Sequence, residues 1–348
     1  MSGFTLGLIL IGALVLAALV AYNAWTSRRN TPRRPLASAA APDPAEAARQ
    51  EPTLDAGRQE PAFDAAPPPL PVPERRPGLD ALIDVLAPIA LEAPASGEAA
   101  LAALPPTRRA GTKPFAVEGL NEGTQQWETP RPGQRYGGFQ AGVQLANRVG
   151  ALNEIEYSEF VMKAQAFADA VNGTPDFPEM LDEVARAREL DQFASAHDAQ
   201  LSFTLRARNA AWSPGYVQQH ASRLGFVAGA LPGRMVLPAS TAGAPPLLGL
   251  SFDSQAAMAD DPEQSALRQV TLSLDVPQVE RGEQPFARMR EAATALATGM
   301  DGVVTDDNGQ PIQPEALDVI GRDLEQLYDT LEARDLGAGS PLARRLFS

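Results

Sequence analysis

The chain has 348 residues, a formal net charge of −14 and no cysteine. That length accommodates about two ordinary domains, and the acidic balance argues against a nucleic-acid binder, which needs a basic surface to neutralise phosphate. The lack of cysteine excludes disulfides, thiolate chemistry and cysteine-ligated metal, and two histidines, His197 and His220, are too few for a multi-histidine metal centre.

Residues 4–25 are almost wholly apolar and carry no charge. At ~1.5 Å per residue a helix over them reaches ~33 Å, enough to cross a hydrocarbon core of ~30 Å. Tyr22 and Trp25 lie at one end, where amphipathic rings favour an interface. Only Met1, Ser2 and Gly3 precede the stretch, whereas Arg28, Arg29, Arg33 and Arg34 follow it. The positive-inside rule then places the N-terminus outside and the rest of the chain in the cytoplasm. A cleaved signal peptide would show a charged region first and a shorter apolar core. Residues 1–27 are therefore read as a retained transmembrane anchor.

Residues 28–78 are rich in Pro, Ala, Glu and Asp and have no apolar periodicity. Such a composition cannot bury enough surface to offset its ordering entropy, so a disordered linker is expected. Fully extended at ~3.1 Å per residue it would reach on the order of 150 Å.

The first globular stretch, residues 79–197, reads as a strand over 82–91, a short helix over 98–104 closed by Arg109-Ala110-Gly111, and strands over 115–120 and 136–145. Tyr157, Phe160, Phe167 and Val171 then form a helical stripe ending at Asn172-Gly173, and another helix is expected over 178–193. The second stretch, residues 198–335, begins with Leu201, Phe203 and Leu205 alternating on a strand. Ser213-Pro214 is an N-cap and first-turn pair opening a helix, which Arg223-Leu224-Gly225 closes. Strands over 247–252 and 270–276 precede a helix from Pro285 carrying Phe286, Met289, Leu296 and Met300 inward. Asp306-Asp307-Asn308-Gly309 signals a tight turn. A last helix from Pro314 presents Leu317, Ile320, Leu324, Leu327 and Leu331 on one face, and residues 336–348 are read as a tail. Strands followed by helices in this order predict an α+β fold with helices on one face of an antiparallel sheet.

The run LDVPQ…PFARMREAATALATGMDGVVTDDNGQPIQPEAL resembles the C-terminal domain of the ZipA family, membrane-anchored bacterial division proteins that bind FtsZ. The resemblance covers roughly residues 199–333, and the anchor, linker and domain layout matches the family as well. It implies a six-stranded antiparallel sheet with three helices on one face, inner-membrane location, and recognition of the FtsZ C-terminal tail on the face the helices leave open. The earlier stretch follows the same pattern at constant offset. Val143 and Leu145 match Leu272 and Leu274, Tyr157 and Phe160 match Phe286 and Met289, and Ala164, Phe167, Val171 and Gly173 match Ala293, Leu296, Met300 and Gly302. The expectation is a diverged ZipA-like domain over 79–197 followed by a second over 198–335.

Carried onto this sequence, the positions on the open face are Gln200, Ser202, Thr204, Thr271, Ser273 and Asp275, all polar where the family has an apolar cleft. Three readings stay open. The tail binds through residual apolar groups such as Leu231, Met235, Leu237, Leu248 and Leu250; it binds through the first copy, near Tyr136 and Phe139; or the chain is an anchored scaffold for another envelope or division protein. No catalytic site, cofactor or metal is expected. His220 reads as a boundary or core residue and His197 as part of a solvated turn. Asp306 and Asp307, the residue type for metal binding or acid/base work, are explained by the turn.

Overall fold

The structure is a computed structural model that describes residues 32–35, 78–306 and 308–348. The apolar stretch 4–25 and most of the linker lie outside the described residues; among those described, no helix is long and apolar enough to cross a membrane. The chain divides into two compact units, a first of Arg75–Leu201, Leu274–Ala287 and Gln313–Ser348, and a second of Ser202–Ser273 and Arg288–Ile312 together with residues 32–35.

The first unit starts with β1 (Asp84–Ser96), α1 (Gly97–Ala103), β2 (Arg109–Ala110), β3 (Lys113–Asn121), β4 (Trp127–Glu128) and β5 (Arg135–Gln144). A small hairpin of β6 (Ala146–Asn147) and β7 (Gly150–Ala151) leads to α2 (Glu154–Ala170), β8 (Gly173–Pro175) and α3 (Met180–His197). The sheet order is β2-β3-β5-β1-β8, with β4 added to β3. Both β5 and β8 run antiparallel to β1, on either side of it, and α2 connects them. This is a split β-α-β unit.

Strand alternation decides which face is covered. Val85, Ala87, Ile89, Phe115, Val117, Ala141 and Val143 are buried, and the α2 rings pack on that side, Phe160 against Phe115 at 6.1 Å and Phe167 edge-on to Phe139 at 5.1 Å. Asn153 and Glu156 form a capping box at the start of α2. Arg109 and Ala110 do not close a helix as expected. They form β2, and Gly111, at φ 54°, makes the turn into β3, a conformation glycine adopts without a Cβ penalty.

The second unit comprises β9 (Gln200–Ala207), α4 (Pro214–Arg223), β10 (Val227–Ala228), β11 (Arg234–Leu237), β12 (Leu248–Ser251), α5 (Ser254–Ala257), β13 (Gln269–Asp275), α6 (Pro285–Met300) and β14 (Gly302–Thr305), with the start of β9, the end of β13 and the first turn of α6 falling in the first unit. Its sheet order is β10-β11-β12-β13-β9-β14. Again a helix, α6, links the two strands that flank the opening strand. Ser213 caps α4 by accepting from the Tyr216 N–H, with Pro214 in the first turn. Trp212 is fully buried and its indole N–H donates to the Met300 carbonyl at 2.8 Å, tying the end of α6 to the chain entering α4.

The apolar residue pairs matched by sequence between the two stretches are buried, from Val143 with Leu272 to Val171 with Met300, while of the glycine pair Gly302 is buried and Gly173 half-buried. Each linking helix ends in a residue with left-handed backbone, Asn172 at φ 53° and Asp301 at φ 55°, immediately before Gly173 and Gly302.

Residues 313–348 cluster with the first unit rather than with the stretch that precedes them. Helix α7 (Pro314–Glu332) buries Leu324 and Leu331 of the expected stripe, leaves Leu317, Ile320 and Leu327 half-buried, and buries Tyr328, which the stripe did not include. Residues 336–348, expected as a tail, instead form α8 (Pro341–Leu346), capped by Ser340 and opened by Pro341. Leu336, Ala343, Leu346 and Phe347 enter the core that β1, β3 and β5 line. The apolar spacing of that short segment is too brief to show periodicity, but it buries four side chains.

Candidate functional site

The second unit's open face is set by pairing register. Gly249 lies opposite Ser273 and Ser251 opposite Thr271, while Arg234 pairs with Ser251 and Val236 with Gly249. Val227 continues the row opposite Val236 on β10. These side chains share the face away from Leu272, Leu250 and Met235, which are buried. On the other side of β13, Ser202 and Thr204 occupy the same open face of β9, with Thr204 opposite Thr305. Gly249 is required here by close approach, since a Cβ would stand 2.7 Å from the Ser273 hydroxyl, which donates to the Gly249 carbonyl at 3.3 Å.

Of the residues proposed from sequence, the structure brings Ser202, Thr204, Thr271 and Ser273 to this face and leaves Leu231 at its rim, 61% exposed in the turn between β10 and β11. Met235, Leu248 and Leu250 are placed elsewhere. Their side chains alternate toward the helices and are 4%, 1% and 1% exposed, so they form core and are not available to a partner. Leu237 is half-buried on that same inner side of β11. The apolar groups actually on the open face are Val227, 49% exposed, Val236 and, at the far edge, Val303. Sequence reading missed them because β10 and β11 are short. The signal was present in Pro232-Gly233, a turn dipeptide directly after Leu231 whose glycine takes φ 74°. A groove of about 720 Å³ lies between this rim and the sheet, lined by Leu231, Pro232, Arg234, Ser251, Phe252 and Thr271 among others.

The first unit has its own open face, with Leu86, Pro88 and Ala90 on β1, Pro114, Ala116, Glu118 and Leu120 on β3, and Gly138, Gln140 and Gly142 on β5. Leu79 lies across it. Its N–H donates to Glu118 Oε1 at 3.1 Å, and its side chain fills the space that Gly142 leaves by lacking a Cβ, which would stand 2.5 Å away. A cavity of about 330 Å³ opens beside it, lined by Leu79, Leu104, Pro114, Ala116, Arg345 and Ser348 among others. Tyr136 and Phe139, considered from sequence as binding residues, point the other way and are buried at 0% and 1%.

The titratable residues are held in structural roles. Lys113 is buried; its amine donates to Thr112 Oγ1 at 2.9 Å and Asn147 Oδ1 at 3.1 Å and lies 4.0 Å from Glu156. Burial pushes this amine below the ordinary lysine range, against the pull of Glu156 and Asp191. Asp84, fully buried, is raised above the usual carboxylate range by desolvation, although Arg345 binds it at 2.5 Å and opposes the shift. The His220 ring lies 4.6 Å from the Tyr216 ring, tilted by 54°, and burial followed by Arg223 lowers its affinity for a proton.

His197 does not sit in a solvated turn. It ends α3, with Nδ1 2.7 Å from the Phe193 carbonyl and its ring 4.3 Å from the Phe193 ring. Asp306 closes the expected turn, accepting the Gly309 N–H on its carbonyl and the Gln310 N–H on its side chain; Asp307 lies outside the described residues. Among the described residues there is no group of three or more His, Asp or Glu side chains that could hold a metal ion.

The two units present open sheet faces of different chemistry. No curated protein matches the chain. Residues 255–322, which run from α5 through β13, α6 and β14 into α7, match the family model described as the ZipA C-terminal FtsZ-binding domain, and over that segment the chain is ZipA-like.

Proposed function

We propose that this chain is a non-catalytic FtsZ-binding division protein that holds FtsZ polymers at the bacterial inner membrane during septum assembly. The match over residues 255–322 carries the reading. The anchor over residues 4–25 and the arginines that follow support the membrane part, with the globular units on the cytoplasmic side. Several anchored copies along one polymer gain avidity, so a weak contact per chain suffices.

The partner peptide is assigned to the open face of the second unit, where Val227, Val236 and Leu231 flank the β11–β12–β13 groove and Ser202, Thr204, Thr271 and Ser273 supply hydrogen-bonding groups. Burial of apolar area there contributes at ~25 cal/mol per Å². The shared split β-α-β plan, the paired left-handed residues and the burial of the matched apolar positions support the inference that the units are tandem copies of one domain.

Calorimetry of the full-length chain in detergent with a peptide of the FtsZ C-terminal tail tests this. Micromolar binding weakened at least tenfold by Val236→Asp, and unchanged by Leu86→Asp in the first unit, is the expected result. Loss with Leu86→Asp alone would move the site to the first unit. Absence of binding at millimolar peptide by a folded chain would reject the FtsZ partner. The polar character of the second face favours one other reading, a scaffold whose polar sheet face takes another division or envelope protein.

A further inference from the structure

Residues 32–35, Pro-Arg-Arg-Pro, are seated on the second unit although more than 160 residues of sequence separate them from it. The Arg33 N–H donates to the Ala211 carbonyl at 2.7 Å, and the Arg33 carbonyl accepts from the Ser213 N–H at 2.9 Å. These are the two bonds of a parallel bridge to Trp212, which itself bridges Leu267 on its other side. The Arg33 guanidinium donates through Nη2 to Asp301 Oδ2 at 2.7 Å and lies with Nη1 3.5 Å from the Met300 carbonyl. It thus occupies the C-terminal end of α6, where outward carbonyls favour a cation. The Pro35 ring rests over Gly215; a Cβ there would stand 3.1 Å from Pro35 Cγ.

The same geometry keeps the contact short. The next rung of a parallel ladder would need the N–H of residue 35, and proline has none. The ion pair is partly open to water, its side chains 36% and 35% exposed, so salt screens it, and its modest contribution is the part of the joint that solution conditions can remove. Two backbone hydrogen bonds, one accessible ion pair and one proline contact make a joint that forms because its halves belong to one chain, not because it is strong.

We propose that this seat is a reversible latch for the segment next to the membrane. Docked, residues 32–35 hold the second unit seven residues from Trp25, a span of at most about 25 Å. Released, the chain over 36–77 becomes part of the tether and its reach rises to on the order of 130 Å at ~3.1 Å per residue. The latch switches the ZipA-like unit between a membrane-proximal and an extended position. The positional consequence rests on the anchoring proposed above; the docking itself does not.

The chain has no cysteine, so Arg34→Cys with Gln218→Cys, both exposed, gives two unique sites for spin labels in the full-length protein. Pulsed dipolar spectroscopy in detergent at low salt should give one short, narrow distance. Arg33→Glu, Asp301→Asn or high salt should cut that population at least twofold. Asparagine tolerates the left-handed backbone of Asp301, so this variant keeps the fold. A broad, long distribution in the parent overturns the latch. So does a short distance that neither variant nor salt moves, which would mean a fixed joint, or one that vanishes on dilution with unlabelled chain, which would mean contact between molecules. Failure of the full-length chain to float with liposomes would reject anchoring and leave the docked contact standing.

Discussion

Both units link by a helix the two strands that flank the opening strand of a six-stranded sheet, yet they fill the space beneath it differently. The first unit uses aromatic rings: Phe160 of α2 meets Phe115, Tyr157 and Phe177, and Phe167 meets Phe139 edge-on. At the matching positions of α6 the second unit has Met289 and Leu296, and its large buried ring, Trp212, comes from the loop ahead of α4. The open faces diverge too. The first is floored by glycines and edged by Leu86, Pro88, Pro114 and Ala116, whereas the second is hydroxyl-rich around Thr204, Thr271 and Ser273. The plan survives a change of side-chain type because it depends on which positions are buried and on total volume. The exposed faces are not constrained by the core and are free to differ.

The largest expected effects probe those cores. Phe160→Ala should destabilise the first unit by about 3–5 kcal/mol and Met289→Ala the second by about 2–5 kcal/mol, each leaving a cavity in a fully buried site. Hydrogen exchange resolved by peptide checks both. A loss from Met289→Ala as small as about 0.5 kcal/mol would mean that α6 does not anchor its sheet as α2 does.

Next comes the way each linking helix begins. In α2, Glu156 accepts from the Thr112 N–H at 2.8 Å, the Thr112 hydroxyl at 2.7 Å and the Asn153 N–H at 3.3 Å. Glu156→Ala should lower stability by about 2–3 kcal/mol in urea denaturation, because it strands several donors at once. Lys113→Met should be neutral or stabilising by about 1 kcal/mol, since it removes a desolvated amine while Glu156 keeps its other donors. The matching position in α6 is Pro285, which needs no partner at a first turn. If Lys113→Met proves as damaging as Glu156→Ala, the buried amine is an essential tie between β3 and α2.

Much of this plan was legible in the sequence. Phe286, Met289, Leu296 and Met300 fix one helix by spacing, and Leu201, Phe203 and Leu205 fix one strand by alternation. What was not legible depended on pairing at a distance. Leu248 and Leu250 could be set on one face or the other only once their register with Leu272 and Met235 was known. Residues 341–346 form too short a helix to show a period, and nothing local to Arg33 announces a bridge to Trp212. The seat for Arg33 is made by residues far away in sequence.

A smaller effect separates the residues that end the two linking helices. Asn172 and Asp301 hold φ near 53° and 55°, a conformation that costs a residue with a Cβ roughly 1–2 kcal/mol unless its side chain bonds locally. Asn172→Ala and Asp301→Ala should each lose about that much, and the glycine variants less. The glycines that follow should differ more clearly. A Cβ at Gly173 would lie 2.6 Å from Ile89 Cγ2, which is fixed at its branch, whereas one at Gly302 would lie 3.1 Å from the Trp212 ring. Gly173→Ala is therefore expected to lower the melting temperature more than Gly302→Ala. The reverse order would show that Trp212, not the strand pairing, limits how close α6 and β14 approach.

Acidification should separate the units most gently, and in opposite senses. His220 in the second unit has a folded affinity for protons below the ordinary 6.5, because burial and then Arg223 disfavour the imidazolium. As pH falls through 6.5 the unfolded chain takes up the proton first, so this contribution to stability is complete above 6.5 and is lost as pH falls through the folded value. Asp84 in the first unit behaves oppositely. Desolvation raises it above 3.8, so its favourable contribution is present below 3.8 and is lost as pH rises through the folded value. Hydrogen exchange followed from neutral to acidic pH should therefore show α4 amides losing protection through the histidine window, and His220→Gln should flatten that slope. A slope that His220→Gln leaves intact would place the acid sensitivity of the second unit in its carboxylates, and would remove the last difference in proton response that the two cores predict.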